Sequence, residues 1–372
     1  MQLRGSKQAA VAGGAVIAAL AIAACSSSSS TSSAPASSGG ASTPAASTSS
    51  SAAAASGTLN AAGSSFQNTF QQSALAAFHS ANPGITVNYD SVGSGTGRTD
   101  LYSNTVLMAG SDSPIPASEM SKVPAGKTVL YFPVVIGPIT LSYNLNGISN
   151  LKLNATVIAN IFQGNIKTWD DPAIKALNPG VTLPSTAITT AVRSDGSGTT
   201  QNFTLYLQDA APSVWKLGSG STIKWPSTAR AGAQNGGVAS IIKATPGAIG
   251  YVDYSTAKAS GLTFASVQNK AGDYVVPSPT ASSTDAADAT IKSNLTFAAA
   301  NASSAPTAYP LTYQSWDLVY ATQPNANDAA MLKAYIGYLL GAGQQLLPSL
   351  YYAPLPSGLD AKAVAQLSQI TG

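Results

Sequence analysis

Between Gln67 and Ile139 the apolar residues change their spacing repeatedly, and that alternation limits the chain to a narrow group of folds. From Gln67 to His79, Phe70, Leu75 and Phe78 recur at helical spacing, Asn82-Pro83-Gly84 then stops the helix, and Ile85 to Tyr89 alternates as a strand. Val129–Ile136 and Ile139–Tyr143 read as buried or half-buried strands, Asn154–Phe162 as a helix, Thr186–Val192 as a strand, and Gln201–Leu207 and Ala329–Leu340 as helices. Strands interleaved with helices predict an α/β fold with mainly parallel sheets, whose ligand sites lie at strand C-termini and helix N-termini.

Stability has to come from the core. The only cysteine of the 372 residues is Cys25, so the folded part has no disulfide, no thiolate metal site and no cysteine nucleophile. Cys25 follows a basic start (Arg4, Lys7), an uncharged run from Gln8 to Leu20, and Ile22-Ala23-Ala24. Residues 1–24 are therefore expected to be a lipoprotein signal peptide, with Cys25 as the lipidated residue. From Ser26 to Ser56 the chain holds only Ser, Thr, Ala, Pro and Gly, which cannot bury enough apolar surface to order itself, and residues 25–57 are expected to be a flexible tether.

The remainder is long enough for two lobes. Of 18 basic and 15 acidic residues, the signal peptide removes two basic ones, leaving 16 against 15. Without a Lys/Arg-rich block, nucleic acid is not an expected partner.

Four small-residue loops fall at element boundaries: Ala62-Gly63-Ser64-Ser65-Phe66, Gly93-Ser94-Gly95-Thr96-Gly97, Gly110-Ser111-Asp112-Ser113-Pro114, and Arg193 to Thr199. Taken singly, each is an ordinary cap or turn. Together they offer hydroxyls, close backbone approach and free helix-start amides to a tetrahedral oxyanion. Arg193 has Asp195 two residues on to hold its donor fork. Asp112 is a carboxylate in an anion site, which makes sense only for a ligand that carries its own proton, and hydrogen phosphate does where sulfate does not. Arg98, in the first turn of a helix, is expected to be solvent-exposed rather than a second cation at the ligand.

Other chemistries find little support. His79, the single histidine, falls at the end of a helical stretch and is expected at the surface. No spacing feeds it into a Ser-His-Asp arrangement, and no set of metal ligands can be assembled. Trp169, Trp215, Trp225 and Trp316 are expected to pack rather than stack on a sugar.

At these loops the chain resembles the phosphate-binding proteins of the high-affinity phosphate ABC importer. The resemblance runs from about Thr58 to Pro356 and takes in the four loops, Ile161 to Pro172, Gly218 to Pro226 and Pro246 to Val252. It implies a two-lobed periplasmic-binding-protein fold of type II, each lobe a sheet flanked by helices. Lobe one would be 58–143 plus 311–372 and lobe two 144–310, with the two crossings as hinge. It further implies that Ser65, the Phe66 backbone, Ser94, Asp112, Arg193, Asp195, Ser197, Gly198 and Thr199 line the ligand cleft. Asp195 would orient Arg193, and Asp112 would accept the ligand proton. The implied role is capture of inorganic phosphate, without catalysis or cofactor, by a monomer lipid-anchored on the extracytoplasmic face of the cell membrane. Delivery would be to the permease and ATPase subunits of the importer. The alternatives are a sulfate or molybdate binder and a phosphohydrolase on the same fold. The stretch Ser278–Ser304 matches the family poorly, and Ser65 and Gly95-Thr96-Gly97-Arg98 depart from its usual residues.

Overall fold

The computed structural model describes residues 55–356 and 358–372. The signal peptide, Cys25 and nearly all of the expected tether lie outside the described residues. In chain order the first elements are β1 (Gly57–Gly63), α1 (Asn68–Ala81), β2 (Ile85–Ser91), α2 (Ser94–Tyr102), β3 (Met108–Ser111), β4 (Val129–Tyr143), β5 (Lys152–Leu153), α3 (Ala155–Phe162) and α4 (Pro172–Leu177). Then come β6 (Thr189–Arg193), α5 (Gly198–Ala210), β7 (Arg230–Gly232), α6 (Gln234–Ala244), β8 (Ala248–Asp253), α7 (Tyr254–Ala259), β9 (Thr263–Phe264), β10 (Ser266–Gln268) and β11 (Tyr274–Val275). The chain closes with α8 (Pro279–Ala286), β12 (Thr312–Tyr320), α9 (Ala326–Leu340) and α10 (Leu359–Gln366).

Local chemistry accounts for many of these boundaries. α1 buries Phe70, Ala74 and Phe78, one residue per turn on one face, and each phenylalanine so buried contributes roughly 1.5–3 kcal/mol. The helix ends at Asn82 because Pro83 disfavours helical backbone in the residue before it. Side chains of Asn154, Asp171, Ser197 and Asn325 cap α3, α4, α5 and α9. Within the poorly matching stretch 278–304, Ser278 caps α8 and Pro279 stands at its first turn, an ordinary helix start.

Nine of the strands form a sheet in the order β2-β1-β3-β12-β4-β8-β6-β7, with β9 beside β4, and the other three form a small sheet in the order β11-β10-β5. β2, β1 and β3 run parallel, as do β8, β6 and β7. The middle departs from the mainly parallel expectation, because β12 pairs antiparallel with both β3 and β4, and β4 antiparallel with β8. The two strands expected over 129–136 and 139–143 are one, β4. Its first part, Val129–Pro138, pairs with β12, and from Ile139 onward its partner is β8. Gly137 and Pro138 do not break it, since each still has a partner across the ladder on β12. β1, whose sequence Gly57-Thr-Leu-Asn-Ala-Ala-Gly63 carries little β-branched or aromatic character, was not expected as a strand. It begins at Gly57, the last residue of the range expected for the tether.

One large apolar core extends across the sheet, and a second, small one gathers Ala191, Val238, Ala239, Ile242, Val252 and Ala257 around α6 and β8. Trp169 and Trp316 are fully buried, Trp215 packs beside Trp225, and Trp225 lies against Tyr251 and Phe162, the packing role expected of the four. His79 is exposed in the last turn of α1. Arg98 overturns its expected exposure, being 0% exposed. Its guanidinium grips Glu119 with two bonds, Nε to Oε2 at 2.8 Å and Nη2 to Oε1 at 2.9 Å. Its Nη1 donates to Ser111 Oγ at 3.1 Å and Ser113 Oγ at 3.2 Å. A bidentate carboxylate satisfies the buried cation, so Arg98 clamps α2 to the end of β3 and the segment that follows it, bonding the residues on either side of Asp112. Glu119→Ala should leave that cation buried without its partner and destabilise the protein by about 3 kcal/mol, read from urea unfolding. A loss below about 0.5 kcal/mol would mean that Arg98 is not held by this pair.

Candidate functional site

β1, β2 and β3 run parallel, so their C-terminal ends come out on the same side and carry Ser64-Ser65-Phe66, Gly93-Ser94 and Asp112. β6 ends in Arg193 and leads, through Asp195 and Ser197, into α5. The two sets meet. Gly95 N donates to the Gly196 carbonyl at 2.8 Å, and Gly198 rests on Asp112 so closely that a Cβ added to it would lie 2.5 Å from the Asp112 Cβ.

Asp112 is 2% exposed. Its Oδ1 accepts from the hydroxyls of Ser64 and Ser315, the latter at 2.6 Å. Its Oδ2 has only Ser94 Oγ, at 3.3 Å, and faces the first residue of α5. Burial pushes this carboxyl up to about 6, against the pull of the Ser315 and Ser64 hydroxyls and the Arg193 guanidinium. On the facing side, Arg193 Nε donates to Asp195 Oδ1 at 2.8 Å and Nη2 binds Asp195 Oδ2, with side-chain exposures of 1% and 17%. Asp195 also accepts the amide of Gln234 at 3.0 Å. Gln234 holds the left-handed backbone, φ 57°, a strained conformation for a side-chain-bearing residue, and it aims that amide. The carboxyl of Asp195 is held below its ordinary range even though burial opposes it, because Arg193 and the Gln234 amide favour the ionised form.

The N-terminus of α5 points into this region. Ser197 Oγ caps it by accepting from Thr200 N at 3.1 Å, which leaves the amides of Gly198 and Thr199 at the positive end of a 13-residue helix. Ser65 Oγ, on the other side, accepts from Asn235 Nδ2 at 3.2 Å, and Asn235 also approaches Thr199 Oγ1 at 3.5 Å and Arg193 Nη1 at 3.4 Å. All nine expected site residues are thus drawn together. Phe66 contributes its amide, 3.0 Å from Ser64 Oγ, while its ring stacks on Tyr313 at 4.0 Å between centroids.

Several participants were not foreseen. Asn235 lies in Gln234-Asn235-Gly236-Gly237, the small-residue first turn of α6 just after β7, and could have been read as the four loops were. Ser64 stands beside the expected Ser65. Ser315 comes from β12, whose every residue is buried. Its signal was the presence of Gln314, Ser315 and Asp317 in an otherwise apolar run, since buried polar groups need partners.

Such a site offers hydroxyls, amides and one oriented guanidinium around a buried acceptor. Among the described residues no group of three or more His, Cys, Asp or Glu is placed to hold a metal ion. Donors delivered by two separate sets of strand and helix ends and converging on one buried acceptor suit the capture of a small solute.

A family model described as a PBP superfamily domain matches residues 48–342. The phosphate-binding protein PstS 3 of Mycobacterium leprae is 34% identical over 317 residues, covering 82% of this chain and 85% of its own. PstS of Pasteurella multocida is 36% identical over 316 residues, covering 83% and 89%. Among solved structures, a high-affinity periplasmic phosphate-binding protein bound with phosphate shares the fold with a TM-score of 0.68 at 20% identity, over 83% of this chain and 94% of that one. A phosphate-binding protein from Stenotrophomonas maltophilia does so with a TM-score of 0.66 at 19% identity, over 84% and 94%. The chain belongs to the PBP superfamily and, within it, to the PstS phosphate-binding proteins.

The contact between Gly198 and Asp112 leaves no room for a methyl group. Gly198→Ala should force α5 away from β3 and weaken anion binding at least about tenfold, while leaving the separate secondary structures intact. Calorimetry with phosphate, alongside circular dichroism, checks this; unchanged affinity would mean that the two segments do not need to meet.

Proposed function

We propose that this chain captures inorganic phosphate outside the cytoplasm and delivers it to the permease and ATPase subunits of an ABC-type importer, binding and releasing its ligand unchanged. One observation carries the choice of ligand. Asp112 has one oxygen saturated by two hydroxyls and turns the other, held only by a long contact from Ser94, toward the amides of α5. An ionised carboxylate accepts hydrogen bonds and cannot donate them, so it gains a charge-assisted bond from a protonated phosphate oxygen and meets only repulsion from fully ionised sulfate. The names of the relatives, which are phosphate-binding proteins, support the same reading.

Ser65, the Phe66 amide, Ser94, Ser197, Gly198 and Thr199 would then supply neutral donors, and Arg193, oriented by Asp195, the single cation. Residues 58–143 with 311–372 would form one lobe and 144–310 the other. The change of partner along β4 at Ile139, beside the bond from Ile139 N to the Leu311 carbonyl at 2.8 Å, favours hinges at these two crossings. Among the described residues no helix is long and apolar enough to cross a membrane, and attachment would rest on lipidation of Cys25. Cys25→Ser should move the protein from the detergent-extracted membrane fraction to the soluble one; retention in the membrane would count against a lipid anchor.

Competition between phosphate and sulfate, measured by calorimetry on protein stripped of ligand by unfolding and refolding, tests the ligand assignment. The wild type should prefer phosphate. In Asp112→Asn, whose amide can turn to donate, the preference should fall about 10- to 100-fold. The same preference should narrow in the wild type as the pH drops through about 6, where Asp112 takes up a proton and can itself donate. A ratio unaffected by both the substitution and the pH would remove Asp112 from the role.

A further inference from the structure

Asn202 lies one turn into α5, 5% exposed, and has no part in the donor set above. Its Nδ2 donates to the backbone carbonyl of Asp112 at 2.7 Å and to that of Gly198 at 2.9 Å. Because carbonyl oxygens only accept, these two contacts fix the orientation of the amide. Its Oδ1 then accepts from Gln314 Nε2 at 3.2 Å. Gln314 is 2% exposed, its Nε2 also lies 3.4 Å from the Asp112 carbonyl, and its Oε1 accepts from Ala299 N at 2.8 Å.

Both peptide groups flanking the Asp112 Cα are therefore held from outside their own strand. Ser94 Oγ, at the start of α2, accepts the Asp112 amide at 3.2 Å, and Asn202, on α5, holds its carbonyl. A side chain leaves its Cα in a direction set by the backbone on both sides of it, so the two anchors together aim the carboxylate. One comes from each side of the cleft, and the second exists only when α5 lies against β3.

We infer that Asn202 is a positioning residue that latches α5 to β3 and thereby sets the direction of the Asp112 carboxylate, making ligand discrimination depend on closure. This rests on the phosphate-binding reading. It assigns Asn202 a share in selectivity without contact with the ligand, and Gln314 the task of holding the latch amide in place.

The test uses the folded protein with wild type, Asn202→Ala, Asn202→Asp and Gln314→Met, measuring phosphate and sulfate affinities by calorimetry and ligand-free melting temperature. Asn202→Ala should weaken phosphate about tenfold and reduce the phosphate-to-sulfate ratio by a comparable factor. Asn202→Asp, the same shape with an acceptor facing a carbonyl, should lose more than alanine, and Gln314→Met should shift the ratio in the same direction by less. A wild type that fails to bind phosphate would overturn the functional reading and this inference together. If the wild type binds phosphate with the expected preference, the inference alone is overturned by variants that lower melting temperature, or both affinities equally, with the ratio unchanged. Should Asn202→Ala fail to fold, the ratio in Gln314→Met decides in the same way.

Discussion

The cleft holds one guanidinium against two carboxylates, and this imbalance governs the rest of the site. Asp195 is committed to Arg193, and Asp112 is buried close enough to feel the same cation. A doubly charged anion added here would meet in Arg193 a cation whose charge Asp195 already offsets, and the nearby buried arginine, Arg98, is occupied by Glu119. Such a ligand must be held by dipoles: hydroxyls, backbone amides and the end of α5. Fixed dipoles pay no reorganisation on binding and do not trap the ligand as a bare ion pair would. That suits a protein whose cargo has to leave again.

Dipoles only work when aimed, and the fold supplies the aim through strand ends. β1, β2 and β3 deliver Ser64 to Phe66, Ser94 and Asp112 from one side; β6 and α5 deliver Arg193 to Thr199 from the other. The two sides share β4, which changes partner within a single strand, and β12, which puts Gln314 and Ser315 beneath Asp112. The site therefore exists only where both sets of segments meet.

The sequence made the helices and the loop chemistry legible. α1, α3, α5 and α9 were visible from apolar periodicity, reinforced by capping side chains at α3, α5 and α9 and by Asn82-Pro83-Gly84 after α1, and the four loops because Ser and Gly clusters stand out against apolar strands. The antiparallel centre was hidden: β12 has no alternation to read when all nine of its residues are buried, and β1 is built from residues with little strand preference. Arg98 was misread because a helix start is a common place for a solvated arginine. Its burial depends on Glu119, 21 residues away, a pairing that no local pattern encodes. Ser315, Asn202 and Gln314 escaped for the same reason: each matters through a partner far along the chain.

The contact between Gly198 and Asp112 also bears on how such a site can change over generations. Any larger residue at 198 collides with the side chain at 112, so a lineage drifting toward another anion meets a lock with two tumblers. On the proposed role of Asp112, replacing residue 112 alone would alter which ligand is refused while leaving α5 against β3, whereas replacing residue 198 first would break that contact. The order of substitutions would thereby be constrained, with a shift of ligand beginning at Asp112.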